Sequence, residues 1–324
     1  MRHSVISATG RYLPTNEVRN EDLNWFPADA LRNISEKTGV NARRKAAEDQ
    51  CTSDLAFLAA QKCLEKAGFP ADELEAIIVS TSSPDRIQPA TAARVQRLLG
   101  ARKAFAFDIN SVCSGSVYGI SLADSMIKSG NHNSVLFIAA ELYTRILNKK
   151  DFSTLPFLGD GAGAILFQSG QEGGVLHSVL CTDGDGNDVI CVPGGGTMMP
   201  FEQIDNPRFA YFKMDGKAVF AFAVEKGAEV VQEVLDKARV TPAEISLFVS
   251  HQANVNILNA IADALSVSRD KFFVNLDRYG NTASASVPIA LDEALDAGRA
   301  NSGDLVVTVA FGGGLSWGAN LIQV

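Results

Sequence analysis

The stretch FDINSVCSGS, residues 107–116, decides the fold, because a β-type run gives way there to a helical pattern. The run before the turn predicts a strand, and the apolar pattern after it predicts a helix from Cys113 to Lys128. The Cys113 thiol is therefore expected at a helix N-terminus. Unpaired backbone N–H groups and the helix dipole favour the thiolate over the thiol at that position. We therefore expect Cys113 to be a nucleophile.

The two halves of the chain resemble each other around this stretch. The strand-like run at 74–80 is similar to the run at 245–250, and the apolar strand at 134–139 is similar to that at 305–310. Residues 107–130 align with residues 275–298, which matches Cys113 with Asn281. Strands that alternate with helices predict parallel sheets covered on both faces. The sequence thus predicts an α/β protein built from two duplicated halves, residues 1–170 and residues 171–324.

The predicted helices at 113–128 and 282–295 are apolar on almost all sides, which is typical of helices in the middle of a protein. The turns that hold Cys113 and Asn281 would then open onto one central cavity. His251 directly follows an apolar strand, and strand ends are where α/β proteins gather functional residues. A Cys, a His and an Asn brought together in this way can form an acyl-transfer site.

Composition limits the class of protein. The chain has 324 residues, of which 46% are hydrophobic and 20% charged, and its net charge is -8. These values predict a substantial core and argue against a nucleic-acid partner. Apolar runs fall far short of the roughly 20 residues that span a membrane. Five cysteines without CxxC or zinc-like spacing predict a reducing compartment and no metal site. We expect a cytoplasmic protein without a membrane span.

Five motifs, in this order, resemble the β-ketoacyl-acyl-carrier-protein synthase III family. They are INSVCSG (109–115), FLGDGAGA (157–164), HQAN (251–254), DRYGNTASASVP (277–288) and FGGGLSWG (311–318). The resemblance covers nearly the whole chain. It implies a thiolase-like fold with α/β/α/β/α layers, in which the first half carries the nucleophilic Cys and the second carries the His and the Asn. It also implies a homodimer.

The resemblance implies a decarboxylating Claisen condensation. Cys113 would take the acyl group of an acyl-coenzyme A primer, and the backbone N–H groups of Cys113 and Gly313 would hold the oxyanion. His251 and Asn281 would donate hydrogen bonds to the enolate of a malonyl thioester, carried on acyl-carrier protein or coenzyme A. The product would be a 3-oxoacyl thioester. No metal or organic redox cofactor is implied.

Substrate-binding positions depart from the family pattern in part. The resemblance implies Lys37, Arg145 and Asn254 as substrate contacts, but Lys37 replaces an Arg of the family and Asn33 replaces the Trp that stacks on adenine. The helix after HQAN, residues 255–265, has no Lys or Arg to attract an acidic carrier protein. The glycine-rich segment 193–212 is longer than in the family and is expected to shape the acyl pocket. The primer and the extender therefore remain open.

Two other functions remain open from the sequence. An acyltransferase that passes the acyl group to an alcohol or an amine would use Cys113 and a base without decarboxylation. A non-enzymatic subunit that binds acyl thioesters would need neither step. Release of carbon dioxide and acylation of Cys113 would separate the three functions.

Overall fold

Two β-sheets and the helices around them organise the chain. The computed structural model describes residues 2–324. The helices are α1 (Ala28–Thr38), α2 (Thr52–Ala67), α3 (Thr91–Leu99), α4 (Gly115–Lys128), α5 (Gly216–Ala238), α6 (Val255–Ala264), α7 (Leu276–Tyr279) and α8 (Ser286–Asp296). The strands are β1 (His3–Tyr12), β2 (Asn16–Arg19), β3 (Ala42–Lys45), β4 (Ala76–Ser80), β5 (Phe105–Ile109), β6 (Ser134–Leu142), β7 (Asp160–Gly170), β8 (Gly174–Thr182), β9 (Ile190–Cys191), β10 (Lys213–Met214), β11 (Leu247–Ser250), β12 (Leu305–Gly312) and β13 (Ser316–Gln323).

Both large sheets are mixed. The first has the strand order β1-β7-β6-β4-β5 and the second the order β11-β12-β13-β8. β4 is parallel to β5 and β6, and β11 is parallel to β12. β7 and β13 are antiparallel to both of their neighbours. The prediction of parallel sheets is wrong for these two strands, because β6–β7 and β12–β13 are joined without a crossover helix and so run in opposite directions.

Helices α4 and α8 lie between the two sheets. α4 contacts β6 and β13, and α8 contacts β7 and β12. Along β4, Ile78 joins the core beneath α4 and α8, whereas Ile77 and Val79 join a separate core beneath α2 and α3. α5 covers the outer face of the second sheet. The layers therefore follow the order α/β/α/β/α, and the predicted central position of both helices is confirmed.

The strand ladders define how the two halves correspond. Ala76 lies opposite Val135 in the first sheet, and Leu247 lies opposite Val306 in the second. The 3₁₀ turn Val112–Ser114 before α4 has its counterpart in Ala283–Ala285 before α8, and φ is +46° at Val112 and +47° at Ala283. The structural counterpart of Cys113 is therefore Ser284. The predicted match of Cys113 with Asn281 is wrong by one helical turn.

Strand β7 of the first sheet ends at Gly170, and β8, the first strand of the second sheet along the chain, begins at Gly174 after a short turn. A division into domains at residues 170 and 171 stays a prediction. Across residues 2–324, no helix combines the length and the apolar character needed to cross a bilayer.

Candidate active site

A cavity of about 220 Å³ lies where the two halves meet. Cys113 reaches it from the first half, and His251, Asn254 and Asn281 reach it from the second. Cys113 and His251 are its titratable side chains. Its other walls are mainly apolar and include Phe157, Leu158, Ile190, Phe212, Met214, Val219, Phe220, Ile257 and Phe311. The structure thus brings the predicted nucleophile, His and Asn to one pocket.

Cys113 lies in the 3₁₀ turn that leads into α4. The end of β12 approaches this turn so closely that a Cβ on Gly312 would lie 2.7 Å from the Cys113 backbone N. Only glycine therefore allows β12 to end against Cys113. The hydroxyl of Ser316 bonds Ser114 Oγ at 2.7 Å and the Gly313 carbonyl at 2.7 Å. These contacts tie the Cys113 turn of the first half to the β12–β13 loop of the second.

The backbone N–H groups of Cys113 and Gly313 are available as donors. The Gly313 N–H has no backbone acceptor within residues 2–324, and the Cys113 N–H points to its own sulfur. The bond from Ser316 Oγ to the Gly313 carbonyl holds the orientation of this loop. N–H groups beside a thiol suit an oxyanion hole. Cys113 and Gly312 line the cavity and Gly313 follows directly after Gly312, outside the lining, so the oxyanion-hole role of Cys113 and Gly313 stays a prediction.

Burial and charge raise the pKa of the Cys113 thiol above its ordinary value. Loss of solvent is the largest cause, the nearby Glu141 carboxylate adds to it, and the backbone N–H of Cys113 opposes both. The expectation that the helix N-terminus would favour the thiolate is therefore not met in the free protein. The sulfur needs a proton acceptor when it attacks.

His251 follows β11 and is buried. Its backbone N–H donates to the Val309 carbonyl at 2.8 Å, and its ring packs edge-on against Phe311 with 5.4 Å between the ring centroids. Nδ1 lies 2.7 Å from Ser286 Oγ, at the start of α8. Burial lowers the pKa of His251 to about 3, so the imidazole is neutral at neutral pH. Because a hydroxyl can donate or accept, Ser286 can support either tautomer.

Asn281 is held by its own backbone and by its side-chain oxygen. Its N–H donates to the Phe157 carbonyl at 2.7 Å, and its carbonyl accepts from the Gly159 N–H at 3.0 Å. Oδ1 accepts from the Ala283 N–H at 2.8 Å. The side-chain NH₂ has no acceptor among the described residues, so Asn281 offers two N–H bonds to the cavity.

Glu141 is a buried carboxylate near the site that the sequence motifs do not point to. It lies near the C-terminal end of β6 and accepts from five donors in the Thr81–Ser83 loop and the Ser284 turn. Ser83 Oγ is 2.6 Å away and Ser284 Oγ 2.7 Å away. A single acidic residue in an otherwise apolar buried strand was the available sequence signal. Glu141 links the loop after β4 to the turn that follows Asn281.

The Glu141→Gln variant should be alkylated by iodoacetamide at Cys113 about three- to tenfold faster at pH 7. Removal of the negative charge lowers the pKa of the thiol, so a larger fraction is thiolate at a pH below that pKa. Peptide mass spectrometry separates Cys113 from the other four cysteines. Glu172→Gln, an exposed carboxylate, is the matched control and should react like the wild type. An unchanged or slower rate in Glu141→Gln would show that its charge does not act on the thiol.

The three predicted substrate contacts are placed differently. Asn254 lines the cavity, where its side chain caps α6 by accepting from the Asn256 N–H at 2.9 Å. Lys37 lies outside the lining, although its neighbour Thr38 is part of it. Arg145 also lies outside, because its guanidinium donates to the carbonyls of Ala47 and Glu48 at 3.0 and 2.7 Å. Binding of substrate by Lys37 and Arg145 stays a prediction.

The glycine-rich segment 193–212 extends between two strands that reach the cavity. β9 pairs with β10, and Ile190, Phe212 and Met214 line the cavity at either end of the segment. Its role in shaping an acyl pocket stays a prediction. Across residues 2–324, no group of three or more His, Cys, Asp or Glu side chains is arranged to hold a metal ion.

Family models and known proteins match this chain over most of its length. The model of 3-oxoacyl-[acyl-carrier-protein (ACP)] synthase III matches residues 107–184, and the model of its C-terminal part matches residues 235–324. The chain is 40% identical over 324 residues to the β-ketoacyl-[acyl-carrier-protein] synthase III of Roseiflexus sp. (strain RS-1). This alignment covers 99% of the chain and 98% of that protein. It is 41% identical to the enzyme of the same name from Caldanaerobacter subterraneus, over 98% of this chain and 97% of that protein.

Solved structures agree with these matches. The 3-oxoacyl-[acyl-carrier-protein] synthase III of Aquifex aeolicus VF5 superimposes with a TM-score of 0.91 at 39% identity, covering 99% of this chain and 100% of that chain. The priming β-ketosynthase of the R1128 polyketide biosynthetic pathway gives 0.92 at 30% identity, covering 100% and 96%. The thiolase-like fold predicted from the sequence is confirmed. The chain belongs to the 3-oxoacyl-[acyl-carrier-protein] synthase III family.

Proposed function

We propose that the protein condenses an acyl-coenzyme A primer with a malonyl thioester, with loss of carbon dioxide, through an acyl-Cys113 intermediate. The observation that supports this most is the cavity between the halves. It combines a thiol, a neutral imidazole and an unpartnered amide NH₂. A thiol alone would serve simple acyl transfer, whereas two neutral donors beside it suit an enolate.

The first step is acylation of Cys113. The sulfur attacks the carbonyl carbon of the acyl thioester while its proton passes to Nε2 of His251, the other titratable group in the cavity. The N–H groups of Cys113 and Gly313 stabilise the tetrahedral oxyanion. The bond between the carbonyl carbon and the coenzyme A sulfur then breaks, and the departing thiolate takes the proton from His251. The imidazole is neutral again, and its remaining proton moves from Nδ1 to Nε2 before the second step, which Ser286 allows because its hydroxyl can accept from Nδ1–H or donate to Nδ1.

The second step is decarboxylative condensation. The bond between the α-carbon and the carboxylate of the malonyl group breaks, and carbon dioxide leaves the electron pair on an enolate. Nε2–H of His251, with Ser286 donating to Nδ1, and the NH₂ of Asn281 donate to the enolate oxygen. The α-carbon attacks the acyl-Cys113 carbonyl, and the bond between that carbonyl and the Cys113 sulfur breaks. The sulfur leaves as a thiolate and takes one proton from solvent, so each turnover consumes one proton. The product is a 3-oxoacyl thioester.

The extender is assigned to malonyl-acyl-carrier protein, since the relatives of this chain are named for that carrier. Malonyl-coenzyme A is the second candidate, because α6 beside the cavity carries no Lys or Arg. Transfer of the acyl group to an alcohol or an amine is not favoured. It would leave the free NH₂ of Asn281 without a role.

Two copies of the chain are proposed to pair along β5. This strand is at the edge of the first sheet, with β4 as its partner. Phe105 on β5 is 47% exposed, and Ile87 is 78% exposed. An open strand edge with exposed apolar side chains is normally paired or covered in a soluble assembly. Light scattering measures directly whether the mass is that of one chain or two.

Purified protein given acetyl-coenzyme A or longer acyl-coenzyme A primers should release carbon dioxide from [carboxyl-¹⁴C]malonyl-carrier protein, and mass spectrometry should detect the 3-oxoacyl product. A parallel series with malonyl-coenzyme A ranks the two extenders by kcat/KM. Protein boiled before the assay is the control. Ester or amide products from a panel of alcohols and amines, without carbon dioxide, would replace condensation with simple acyl transfer.

A further inference from the structure

A second and larger cavity, of about 770 Å³, lies beside the two-stranded antiparallel sheet of β2 and β3. The segment 155–158 separates it from the candidate active site, and Leu158 lines both cavities. Leu23, Leu155, Leu158 and the ring of Trp25 provide apolar walls. No step of the proposed condensation uses this space.

The charged side chains that line the second cavity are mainly cationic. Lys45, Lys149 and Lys150 are exposed and make no ion pair within residues 2–324. Asp22 is the carboxylate in the lining, and its Oδ2 already accepts from the Arg19 N–H at 2.8 Å. The lining of this cavity is therefore locally positive in a chain of net charge -8, and a locally positive cavity attracts a negative ligand.

Arg43 is the cation inside this cavity, and it is 3% exposed. Its guanidinium donates to neutral oxygens: the Val18 carbonyl at 3.1 Å, Asn20 Oδ1 at 2.5 Å and the Pro156 carbonyl. Nε has no partner among residues 2–324, and no carboxylate of that range lies within 4.0 Å of the group. Burial lowers the pKa of Arg43 to about 10, which leaves it charged at neutral pH. The Asp22 carboxylate offsets this charge only in part, and an anion in the cavity would stabilise it further.

We propose that the second cavity binds an amphipathic anion, an aliphatic chain that ends in a phosphate or a carboxylate. The chain packs against the leucines and Trp25, and the head group lies among Arg43 and the lysines. Aliphatic walls with a cationic end match that chemistry, and neither inorganic phosphate nor an uncharged alcohol would satisfy both parts.

The contacts of Arg43 also connect the second cavity to Asn281. The effect on condensation that we infer from this connection rests on the proposed function. Arg43 donates to the Pro156 carbonyl, two residues before Leu158. A Cβ on Gly280 would lie 3.4 Å from Arg43 Cβ, so the arginine packs directly under the turn before Asn281. The backbone of Asn281 is itself held by Phe157 and Gly159. A ligand that shifts Arg43 or Leu158 therefore alters the position of Asn281 and changes condensation, while acylation of Cys113 continues.

Trp25 provides a local signal for binding. The chain has two tryptophans, and in a Trp317→Phe background Trp25 is the remaining tryptophan, whose emission is excited selectively over that of the five tyrosines. Titration with dodecyl phosphate or dodecanoate should give a saturable change in its emission, and dodecanol or inorganic phosphate should not. The two charged probes distinguish a phosphate from a carboxylate head group. An equal response to dodecanol would overturn the proposal, because it would show that the cations do not select the ligand.

Charge reversal locates the site. Lys149→Glu/Lys150→Glu should weaken binding of the charged probes by about tenfold or more. Leu155→Phe should narrow the cavity and weaken binding without adding a second tryptophan. Arg97→Glu/Arg102→Glu, two exposed cations outside the cavity, is the matched control. Binding that is unchanged in both the lysine and the leucine variants would overturn the proposal, as would displacement of the probe by acyl-coenzyme A in simple competition.

The effect on the reaction is measured separately from binding. With the probe bound, release of carbon dioxide should change by about threefold or more, and the amount of acyl-Cys113 seen by mass spectrometry should stay constant. Saturation of the second cavity with no change in carbon dioxide release would overturn the connection to Asn281. If no extender releases carbon dioxide in the absence of probe, the proposed condensation fails, whereas the fluorescence result still decides whether the second cavity binds amphipathic anions.

Discussion

Cys113→Ala should take up no acyl group from acyl-coenzyme A and should lose condensation by at least about a thousandfold. The variant retains the oxyanion-hole N–H groups and the His251–Asn281 pair but has no atom that can form the covalent intermediate. Intact-protein mass spectrometry after incubation with acyl-coenzyme A measures the adduct, and labelled carbon dioxide measures the condensation. The cavity gains only the volume of one sulfur atom, so the fold should be preserved.

Cys181→Ala is the matched control for this result. Cys181 is a half-buried thiol that lies outside the lining of the active-site cavity. The Cys181→Ala variant should gain the same acyl mass as the wild type. If Cys113→Ala still gained the acyl mass, the nucleophile would be another residue, and the steps proposed for Cys113 would be wrong.

Asn281→Ala should become acylated at Cys113 at the rate of the wild type, whereas His251→Ala should be acylated more slowly because it lacks the proton acceptor, and both should release carbon dioxide about a hundredfold more slowly, or slower still. Each variant removes a hydrogen-bond donor to the enolate oxygen, which is a charge that develops only in the second step. Asn281→Asp tests the role of the NH₂ donor more specifically than Asn281→Ala does. Its carboxylate can still accept from the Ala283 N–H, as Oδ1 does now, but it replaces the NH₂ donor with a negative charge. It should therefore condense no faster than Asn281→Ala.

His177→Ala, on an exposed part of β8, is the matched control for the histidine. Both half-reactions should proceed in it at the rate of the wild type. Condensation at full rate in His251→Ala and Asn281→Ala would show that the enolate is stabilised elsewhere. Loss of acylation in His251→Ala alone would separate its role as proton acceptor from its role as donor, since Asn281 has only the second role.

The fold could be predicted from the sequence because each half repeats the same order of strands and helices. The register of the repeat could not, because a shift of three residues keeps the apolar face of a helix almost in phase. Matching Cys113 with Asn281 therefore satisfied the helical pattern as well as matching it with Ser284 does. The strand pairs of β4 with β6 and β11 with β12 are what decide the register, and they are contacts between distant residues.

The residues of the candidate site could be predicted because Cys113, His251 and Asn281 each lie in a distinct motif. The electrostatics could not, since the pKa of the thiol depends on burial and on Glu141, which lies 28 positions away along the chain. The partners of the Arg145 side chain could not be predicted from its motif position either. Its position predicts a substrate contact, and in the structure one guanidinium nitrogen, Nη2, donates to the carbonyls of Ala47 and Glu48, so the contact with substrate stays a prediction. A motif position does not show where a long side chain finds its partners.

The facing 3₁₀ turns before α4 and α8 have an electrostatic consequence. Both helices start at the same central place, so the partial positive charges of their first N–H groups add there. One half on its own would supply a single helix start, and the doubled potential exists only because the duplicated units meet head to head. A negative charge that appears transiently between them is stabilised without any cationic side chain. That fits a catalytic centre whose titratable residues, Cys113 and His251, are both neutral at rest.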